Sequence, residues 1–334
     1  MTVNIALFDD LDAVAKDAAG ALGRSAEPCL FRRLDWFRLV RDHAPPPGKL
    51  LVVAASDGFR KSWLFLARKG WRANAYATWY SLSFDAAGSH DPAMLAGLAT
   101  GLRERAVGRV ALAPLADPEP LRRAFTAAGW VTFVSEKTGN WRIDTKGMDF
   151  EAYWATRPSQ LRNTARRKAK AAGLEIEIHD CFDQRAWDAY EEIYRASWKS
   201  EEGSFPFLRA LAEQEGRAGT LRLGLARKDG LPVAAQLWLI ESGQATIHKL
   251  AYREDMKALS PGTILGEEMF RRALDVDRVE AIDYGTGDDS YKKDWMAERR
   301  PLWRLLAFNP VHPAGLIGIA REKASALVRR VRSR

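Results

Sequence analysis

Side chains that can take up or give a proton are concentrated between residues 245 and 295. His248 lies in an apolar, strand-like segment, Asp283 lies near the end of the next such segment, and Tyr291 follows a glycine-rich loop. An imidazole or a carboxylate can act as a base, and a phenol with a pKa of about 10 can act as a proton donor. No Ser-His-Asp or Cys-His pattern competes with them. These residue types therefore indicate acid–base chemistry without a covalent enzyme intermediate.

Each of these three residues also has a plain structural interpretation. His248 could be a histidine satisfied within a sheet, and Asp283 could cap the glycine-rich turn that follows it. Tyr291 could pack its ring and donate its hydroxyl to a backbone carbonyl. The sequence leaves these alternatives open.

The segment Ser260-Pro261-Gly262 predicts a helix start after a strand. Proline suits the first helical position, and the free backbone N–H groups of a first turn lie at the positive end of the helix dipole. Turns of this kind bind phosphate groups. We therefore expect an anion site at this turn, the alternative being a capped helix without a ligand.

A second candidate for anion binding is the helix predicted over Ser159–Ala172, which contains no acidic residue. Arg162 and Arg166 lie four positions apart on one face, where like charges repel, and Arg167 adds a third charge. A phosphate group or an anionic membrane would relieve this repulsion. The alternative is a basic face that is merely solvated.

The elements that must position these residues alternate between helix and strand patterns, which predicts an α/β fold. The run Pro45-Pro46-Pro47-Gly48 must be a loop, because proline lacks a donor and disfavours helical backbone before it. In the second half, a strict 3–4 spacing of apolar residues predicts one long helix over Asp183–Trp198. Four further segments there are predicted as strands: Leu221–Arg227, Val233–Ile240, Gln244–Tyr252 and Val279–Tyr284. Two more helices are predicted at Pro261–Leu274, before the last of these strands, and at Ser290–Ala297, after it.

Composition describes an ordinary globular chain of 334 residues with a net charge of +8. The positive excess lies in Arg157–Lys170 and Arg321–Arg334 rather than over one broad face, which disfavours DNA as a partner. Two distant cysteines, Cys29 and Cys181, cannot build a disulfide framework or a zinc cluster, so no metal is predicted. Neither a secretory signal nor a membrane-spanning run is visible, which predicts a cytoplasmic protein.

The last segment, residues 313–334, predicts a basic amphipathic helix. Such a helix could rest on the inner face of an anionic inner membrane, or it could dock its apolar stripe on the protein itself. Both alternatives remain open.

Four segments together resemble one known family: LRNTARRK at 161–168, ATIHKLAY at 245–252, SPGTIL at 260–265 and IDYGTGDDSYKKDW at 282–295. They look like the CelD-like (cellulose-biosynthesis-type) branch of the GNAT acyltransferase superfamily, which is related to the FemAB aminoacyltransferases. The resemblance covers roughly Trp154 to Trp303 and is fainter over the first half. The sequence departs from the common GNAT pattern, because a Ser-Pro-Gly turn replaces the glycine-rich pyrophosphate signature.

The resemblance implies two tandem GNAT-like domains with mixed sheets flanked by helices. It places a degenerate GNAT-like domain at 1–146, a catalytic domain at 147–312 and the basic helix at 313–334. It also implies an N-acyltransferase that takes an acyl group from a coenzyme A thioester, with no metal. The amine acceptor would be an envelope lipid, such as the sphingoid base of a ceramide-synthase-like reaction, or an amino sugar.

Residue roles follow from the same resemblance. Coenzyme A would bind Lys292 and four residues of the turn, Ser260, Gly262, Thr263 and Ile264. Tyr291 would donate to the departing thiolate, and His248 or Asp283 would be the base. Arg162, Arg166 and Arg167 would hold the 3′-phosphate of coenzyme A or a phosphate-bearing acceptor. Trp198 and Lys199 would shape the acceptor pocket. The alternatives are an aminoacyl-tRNA-dependent transferase like the FemAB enzymes and a non-catalytic module of envelope or polysaccharide assembly.

Overall fold

The computed structural model describes residues 3–199 and 201–332, with side chains described up to residue 325. Its contacts divide the chain into two compact units. One contains the chain up to residue 138 together with the residues from 301 onward, and the other contains residues 139–300. The boundaries expected from the sequence, after residues 146 and 312, lie further along the chain than these two points.

In the first unit a mixed sheet has the strand order β1-β2-β3-β4-β6-β13, and the short β5 pairs with β3. Buried aliphatic residues of these strands and of α3 and α4 form its core. Its elements are β1 (Asn4–Phe8), α1 (Leu11–Ala18), α2 (Leu34–His43), β2 (Lys49–Ser56), β3 (Lys61–Lys69), β4 (Arg72–Ala75), β5 (Ala87–Gly88), α3 (Pro92–Glu104), β6 (Arg109–Leu115), α4 (Glu119–Ala127), the start of β7 (Val131–Asp144), most of β13 (Glu298–Phe308) and α11 (Pro313–Arg332).

In the second unit the sheet has the order β7-β12-β11-β10-β9-β8, where β7 contributes its residues 139–144. Only β11 and β12 run parallel, and the other neighbouring strands are antiparallel. Its elements are α5 (Phe150–Ala155), α6 (Ser159–Ala172), β8 (Glu175–His179), α7 (Gln184–Arg195), α8 (Phe205–Arg217), β9 (Leu221–Lys228), β10 (Leu231–Glu241), β11 (Gln244–Tyr252), a 3-10 helix (Glu254–Leu259), α9 (Pro261–Arg271), a π-turn (Arg272–Val276), β12 (Ala281–Thr286) and α10 (Lys292–Trp295).

An aromatic cluster holds α5, α9 and α10 together beneath this sheet. The rings of Tyr153 and Phe270 stack with centroids 5.0 Å apart, and Phe270 stacks on Trp295 at 4.9 Å. The Tyr153 hydroxyl donates to the backbone carbonyl of Trp295 at 2.9 Å. These contacts fix the end of α10, and with it the segment that carries Tyr291.

The α/β fold predicted from the sequence is confirmed in both units, and α6 and α9 begin at the predicted residues. The predicted helix over 290–297 is wrong in length, because Met296 is already extended and leads directly into β13. The long helix of 183–198 is shorter at both ends. Asp183 is its N-cap and accepts from the Ala186 N–H, and the chain leaves the helix after Arg195.

Candidate functional site

An opening in the sheet lies between β11 and β12. Their parallel pairing joins three residue pairs and ends at Thr246 and Asp283, although β11 continues to Tyr252 and β12 to Thr286. Beyond this point the two strands separate. His248 is an extra residue in β11, since its neighbours Ile247 and Lys249 pair with consecutive residues of β10. The bulge bends β11 away from the parallel register, as bulges commonly do beside functional sites.

The two predicted bases lie at this opening in different environments. His248 is only 6% exposed at the bulge. The Asp283 carboxylate accepts from the Asn140 side-chain amide at 2.6 Å and from the Gly285 N–H at 2.7 Å. Burial raises the pKa of Asp283, while these two donors oppose the rise. This geometry is the one that turn capping requires, and the role of either residue as a base stays a prediction.

Tyr291 lies directly before α10 and is 38% exposed. Its ring packs edge-to-face on the buried ring of Tyr284 in β12, with centroids 5.8 Å apart. Burial raises the pKa of its phenol, so the hydroxyl stays protonated and able to donate.

Lys292 is buried, and its ammonium group donates to the Thr286 carbonyl at 2.7 Å. Its Nζ also lies 3.6 Å from the Asp289 carboxylate. Burial lowers the pKa of Lys292. The side chain ties α10 to the end of β12, and its role in coenzyme binding stays a prediction.

The predicted anion turn follows the 3-10 helix, and α9 begins at Pro261. Ser260 adopts a left-handed backbone (φ +55°), and its carbonyl accepts from the N–H groups of Thr263 and Ile264. The Gly262 carbonyl accepts from Gln236 of β10 at 3.2 Å, and the Gln236 amide oxygen accepts from the Trp238 indole at 2.9 Å. A buried amide thus fastens the first turn of α9 to the sheet.

Gly262 allows a close approach on the other side of the turn. A Cβ atom built there would lie 3.1 Å from the ring of Tyr252, the last residue of β11. Trp198 lies against the same tyrosine, with ring centroids 4.2 Å apart, and remains 45% exposed. Tyr252 therefore links the anion turn to the residues predicted to shape an acceptor pocket.

The basic helix α6 lies beside this turn. Lys168 donates to the carbonyl of Ala258, two residues before Ser260, at 2.6 Å. Arg162, Arg166 and Arg167 are exposed, and Arg166 donates to Asn163 on its own helix. The structure thus brings the two predicted anion-binding elements together.

A buried ion pair that the sequence analysis missed joins the segment before α8 to β11. The Lys249 ammonium lies 3.0 and 3.1 Å from the two oxygens of Glu202, with side chains 10% and 1% exposed. The Tyr194 hydroxyl also hydrogen-bonds Glu202. A lysine within the apolar run of β11 was a usable signal for Lys249, whereas nothing in the polar segment around Glu202 predicted its burial.

Among residues 3–199 and 201–332, no three His, Cys, Asp or Glu side chains come together in a way that could hold a metal ion. Within the same residues, no helix combines the length and the apolar character that crossing a bilayer requires.

The fold and this site define a class of protein. Residues 156–293 match the acetyltransferase (GNAT) domain family, and this span contains α6, the opening between β11 and β12, the anion turn and Tyr291. The chain therefore contains a GNAT acetyltransferase domain, and it is an enzyme that transfers acyl groups. The predicted relation to the GNAT acyltransferases is confirmed. No curated protein sequence matches the chain.

Three solved structures share the fold along most of the chain. The C-terminal domain of a protein provisionally named lysylphosphatidylglycerol synthetase, from Agrobacterium fabrum, has a TM-score of 0.61 and 15% identity over 93% of this chain and 95% of that chain. FemX has a TM-score of 0.64 and 9% identity over 91% and 97%. A tandem GNAT protein from the clavulanic acid biosynthesis pathway has a TM-score of 0.50 and 14% identity over 92% and 99%. At these identities the likeness shows the fold alone.

Proposed function

We propose that this enzyme is an acyl-CoA-dependent N-acyltransferase of the CelD-like branch. It moves an acyl group from a coenzyme A thioester to the amine of an envelope lipid, such as a sphingoid base, or of an amino sugar. The observation that carries this proposal is the separation of β11 and β12 next to the anion turn. A thioester can enter between the two strands while its pyrophosphate lies against the start of α9.

In this arrangement the pyrophosphate lies against the turn of Ser260, Gly262, Thr263 and Ile264, at the positive end of α9. The Gly262 N–H is assigned as its backbone donor, because the N–H groups of Ser260, Thr263 and Ile264 already donate to backbone carbonyls. The exposed arginines of α6 lie beside the same turn and hold the 3′-phosphate. Tyr291 borders the opening with its phenol protonated, which suits a donor to the departing thiolate. His248 and Asp283 lie at the end of the opening where the pairing of β11 and β12 stops.

Thiol release tests the proposal. The protein is incubated with acetyl-CoA or palmitoyl-CoA and with sphinganine or glucosamine, and free coenzyme A is measured together with the mass of the amide product. We expect acceptor-dependent release with at least one donor. Absence of release with every pair, together with no calorimetric binding of coenzyme A, would refute the proposal.

A substitution localises the coenzyme site. Gly262→Val places a branched side chain against the Tyr252 ring and over the path of the pyrophosphate. We expect coenzyme A affinity to fall by at least tenfold, about 1.4 kcal/mol. A wild-type affinity in a folded Gly262→Val variant would remove the turn from the site.

A second candidate is an aminoacyl-tRNA-dependent transferase like the FemAB enzymes, which the exposed arginines of α6 favour because they could engage an RNA backbone. Binding of tRNA with a steep salt dependence, combined with no thiol release from acyl-CoA, would support this candidate. Thiol release also separates the acyl-CoA reaction from a non-catalytic role in envelope or polysaccharide assembly.

The proposal extends to the rest of the chain. The first 146 residues are taken as a degenerate GNAT-like domain, which the similarity to a tandem GNAT protein supports. The catalytic domain is taken as 147–312. The enzyme is proposed to work in the cytoplasm, with the helix of 313–334 resting on an anionic membrane and with no DNA partner.

A further inference from the structure

Lys199 has an unusual environment beside the opening. It follows Trp198 just after α7, and its side chain is only partly exposed. Its Nζ lies 5.8 Å from the ring centroid of Tyr194 and 5.6 Å from that of Trp198. The aromatic rings remove much of the water that would otherwise solvate an ammonium group.

The charges around Lys199 come from different parts of the second unit. Lys249 lies on β11, Glu202 lies before α8, Asp289 lies in the loop between β12 and α10, and Lys292 is the first residue of α10. Both oxygens of Glu202 are bonded to Lys249, and Lys292 donates to Thr286 and lies near Asp289. Within the described part of the chain, no carboxylate lies within ion-pair distance of the Lys199 ammonium.

This environment disfavours the charged form of Lys199. Burial is the main cause, and the neighbouring ammonium groups of Lys249 and Lys292 add to it, whereas Glu202 and Asp289 oppose it. Together they lower the pKa of Lys199 to about 8. Near neutral pH the neutral amine is therefore much more populated at this position than on an ordinary exposed lysine.

We propose that Lys199 is the general base that takes a proton from the acceptor ammonium before acyl transfer, an inference that rests on the proposed N-acyltransferase function. Its neighbours Lys249 and Lys292 come from the elements that border the opening, and Tyr291 directly precedes Lys292. The Lys199 side chain is partly exposed, whereas His248 is 6% exposed and the Asp283 carboxylate accepts from Asn140 and Gly285. Trp198, the preceding residue, packs on Tyr252 beside the anion turn, so Lys199 lies close to the proposed thioester site.

The reaction then balances as follows. The acceptor R–NH3+ gives one proton to the neutral Nζ of Lys199, which becomes an ammonium. The freed amine lone pair forms a bond to the thioester carbonyl carbon, and the C–S bond breaks with its electron pair going to sulfur. Tyr291 gives its proton to that sulfur and recovers one from the attacking nitrogen, leaving an amide and free coenzyme A. Lys199 returns its proton to solvent before the next turnover.

Two substitutions distinguish a base from a cation that merely binds an acidic substrate. Lys199→Arg keeps the positive charge but cannot lose its proton, and Lys199→Ala removes the group. We expect both variants to lose turnover about 100-fold with the donor and acceptor pair on which the wild type is most active. Trimethylamine, which cannot itself be acylated, should restore part of the rate in Lys199→Ala. Lys257→Arg, an exposed lysine paired with Glu254, is the matched control and should keep the wild-type rate.

The pH profile gives a second readout. Wild-type kcat/KM should rise with pH through an apparent pKa near that of Lys199, and this step should be absent in Lys199→Arg. In 13C NMR of lysine-labelled protein, the signal missing from Lys199→Ala should titrate near the same pH in the wild type. Calorimetric affinity for coenzyme A and the circular dichroism spectrum should be unchanged in both variants, which shows that they fold.

Each outcome decides between the two proposals. If the wild type is active and Lys199→Arg has a normal rate and a normal pH profile, Lys199 is not the base and its charge binds an anionic substrate. The proposed acyltransferase function would stand. A Lys199 signal that titrates at the ordinary lysine value overturns the base as well. A wild type that releases no thiol with any donor overturns the proposed function, and the base with it.

Discussion

At the scale of single residues, the site depends on groups whose protonation is set by burial rather than by exposed ion pairs. Tyr291, Lys292 and Asp283 all have pKa values displaced chiefly by desolvation. In each case burial favours the neutral form, since the phenol and the carboxyl shift upward and the ammonium shifts downward. Such displaced groups beside an opening in a sheet are typical of catalytic sites.

Tyr291→Phe should lower kcat about 100-fold and leave KM for the acyl donor nearly unchanged. A hydroxyl that donates to a developing thiolate acts mainly in the transition state, and phenylalanine preserves the ring contact with Tyr284. Steady-state thiol release at several donor concentrations measures both constants. A variant with wild-type kcat would show that the phenol has no part in the chemistry.

Glu202→Gln should destabilise the protein by about 3 kcal/mol near pH 7, because it leaves the Lys249 ammonium buried without its counter-ion. Burial already lowers the pKa of Lys249, and losing Glu202 lowers it further. Between that lowered pKa and the unfolded value, the unfolded chain binds more protons, so the stability of the variant should rise with pH.

Urea unfolding of Glu202→Gln at several pH values measures both effects. The double variant Glu202→Gln/Lys249→Met is the matched control, and it should recover most of the lost stability, since it removes the unpaired charge as well. A single variant as stable as the wild type, or one whose stability falls as the pH is raised, would contradict the expected role of this pair.

At the scale of elements, the sequence predicted what local chemistry determines and missed what depends on distant neighbours. The starts of α6 and α9 followed from proline at or before the first turn. Helix α8 was missed, because Phe205-Pro206 and a mixed pattern did not separate it from the polar segment before it. The bulge at His248 could not be predicted, because it depends on the register between β10 and β11.

In the candidate site, too, the sequence predicted the local features and missed those that depend on distant residues. The anion turn and the basic helix were both readable from their own residues, whereas their juxtaposition through Lys168 and Ala258 joins positions far apart in the chain. The burial of Glu202 depends on Lys249 and Tyr194, which lie on other elements. The sequence shows which side chains can carry a charge, but the burial that changes their pKa values depends on the folded unit.

The proximity of α6 to the anion turn predicts selective recognition of the 3′-phosphate. Arg162→Gln/Arg166→Gln should weaken coenzyme A binding about tenfold, or 1.4 kcal/mol, through the loss of charge-assisted contacts. Binding of 3′-dephospho-coenzyme A should not change. Arg122→Gln/Arg123→Gln, which removes two arginines of α4, controls for net charge. Equal weakening for both ligands in calorimetry would indicate long-range attraction rather than a phosphate contact.

At the scale of the whole molecule, one of the two segments that hold the positive excess is the end of the chain. Gly315 and Gly318 let α11 lie close to Asn309 and Phe308 of the first unit. Leu316 and Ile317 remain more than half exposed, and Arg321 and Lys323 lie one turn further on. The helix thus packs on the first unit through its glycines rather than through these apolar residues. Four of the six predicted basic residues lie beyond the described side chains: Arg329, Arg330, Arg332 and Arg334.

This arrangement predicts binding to anionic bilayers. Exposed Leu316 and Ile317 can enter the headgroup boundary, and each nearby cation adds about 1 kcal/mol against acidic lipid. In sedimentation with vesicles of equal parts phosphatidylcholine and phosphatidylglycerol, the protein should bind at low salt and be released at high salt. Leu316→Ser/Ile317→Ser and deletion of 314–334 should each reduce binding at least tenfold, whereas Val276→Ser, at an exposed apolar residue of the second unit, should not. If the deleted protein binds as the intact one does, or the intact protein does not bind at low salt, α11 has no membrane role.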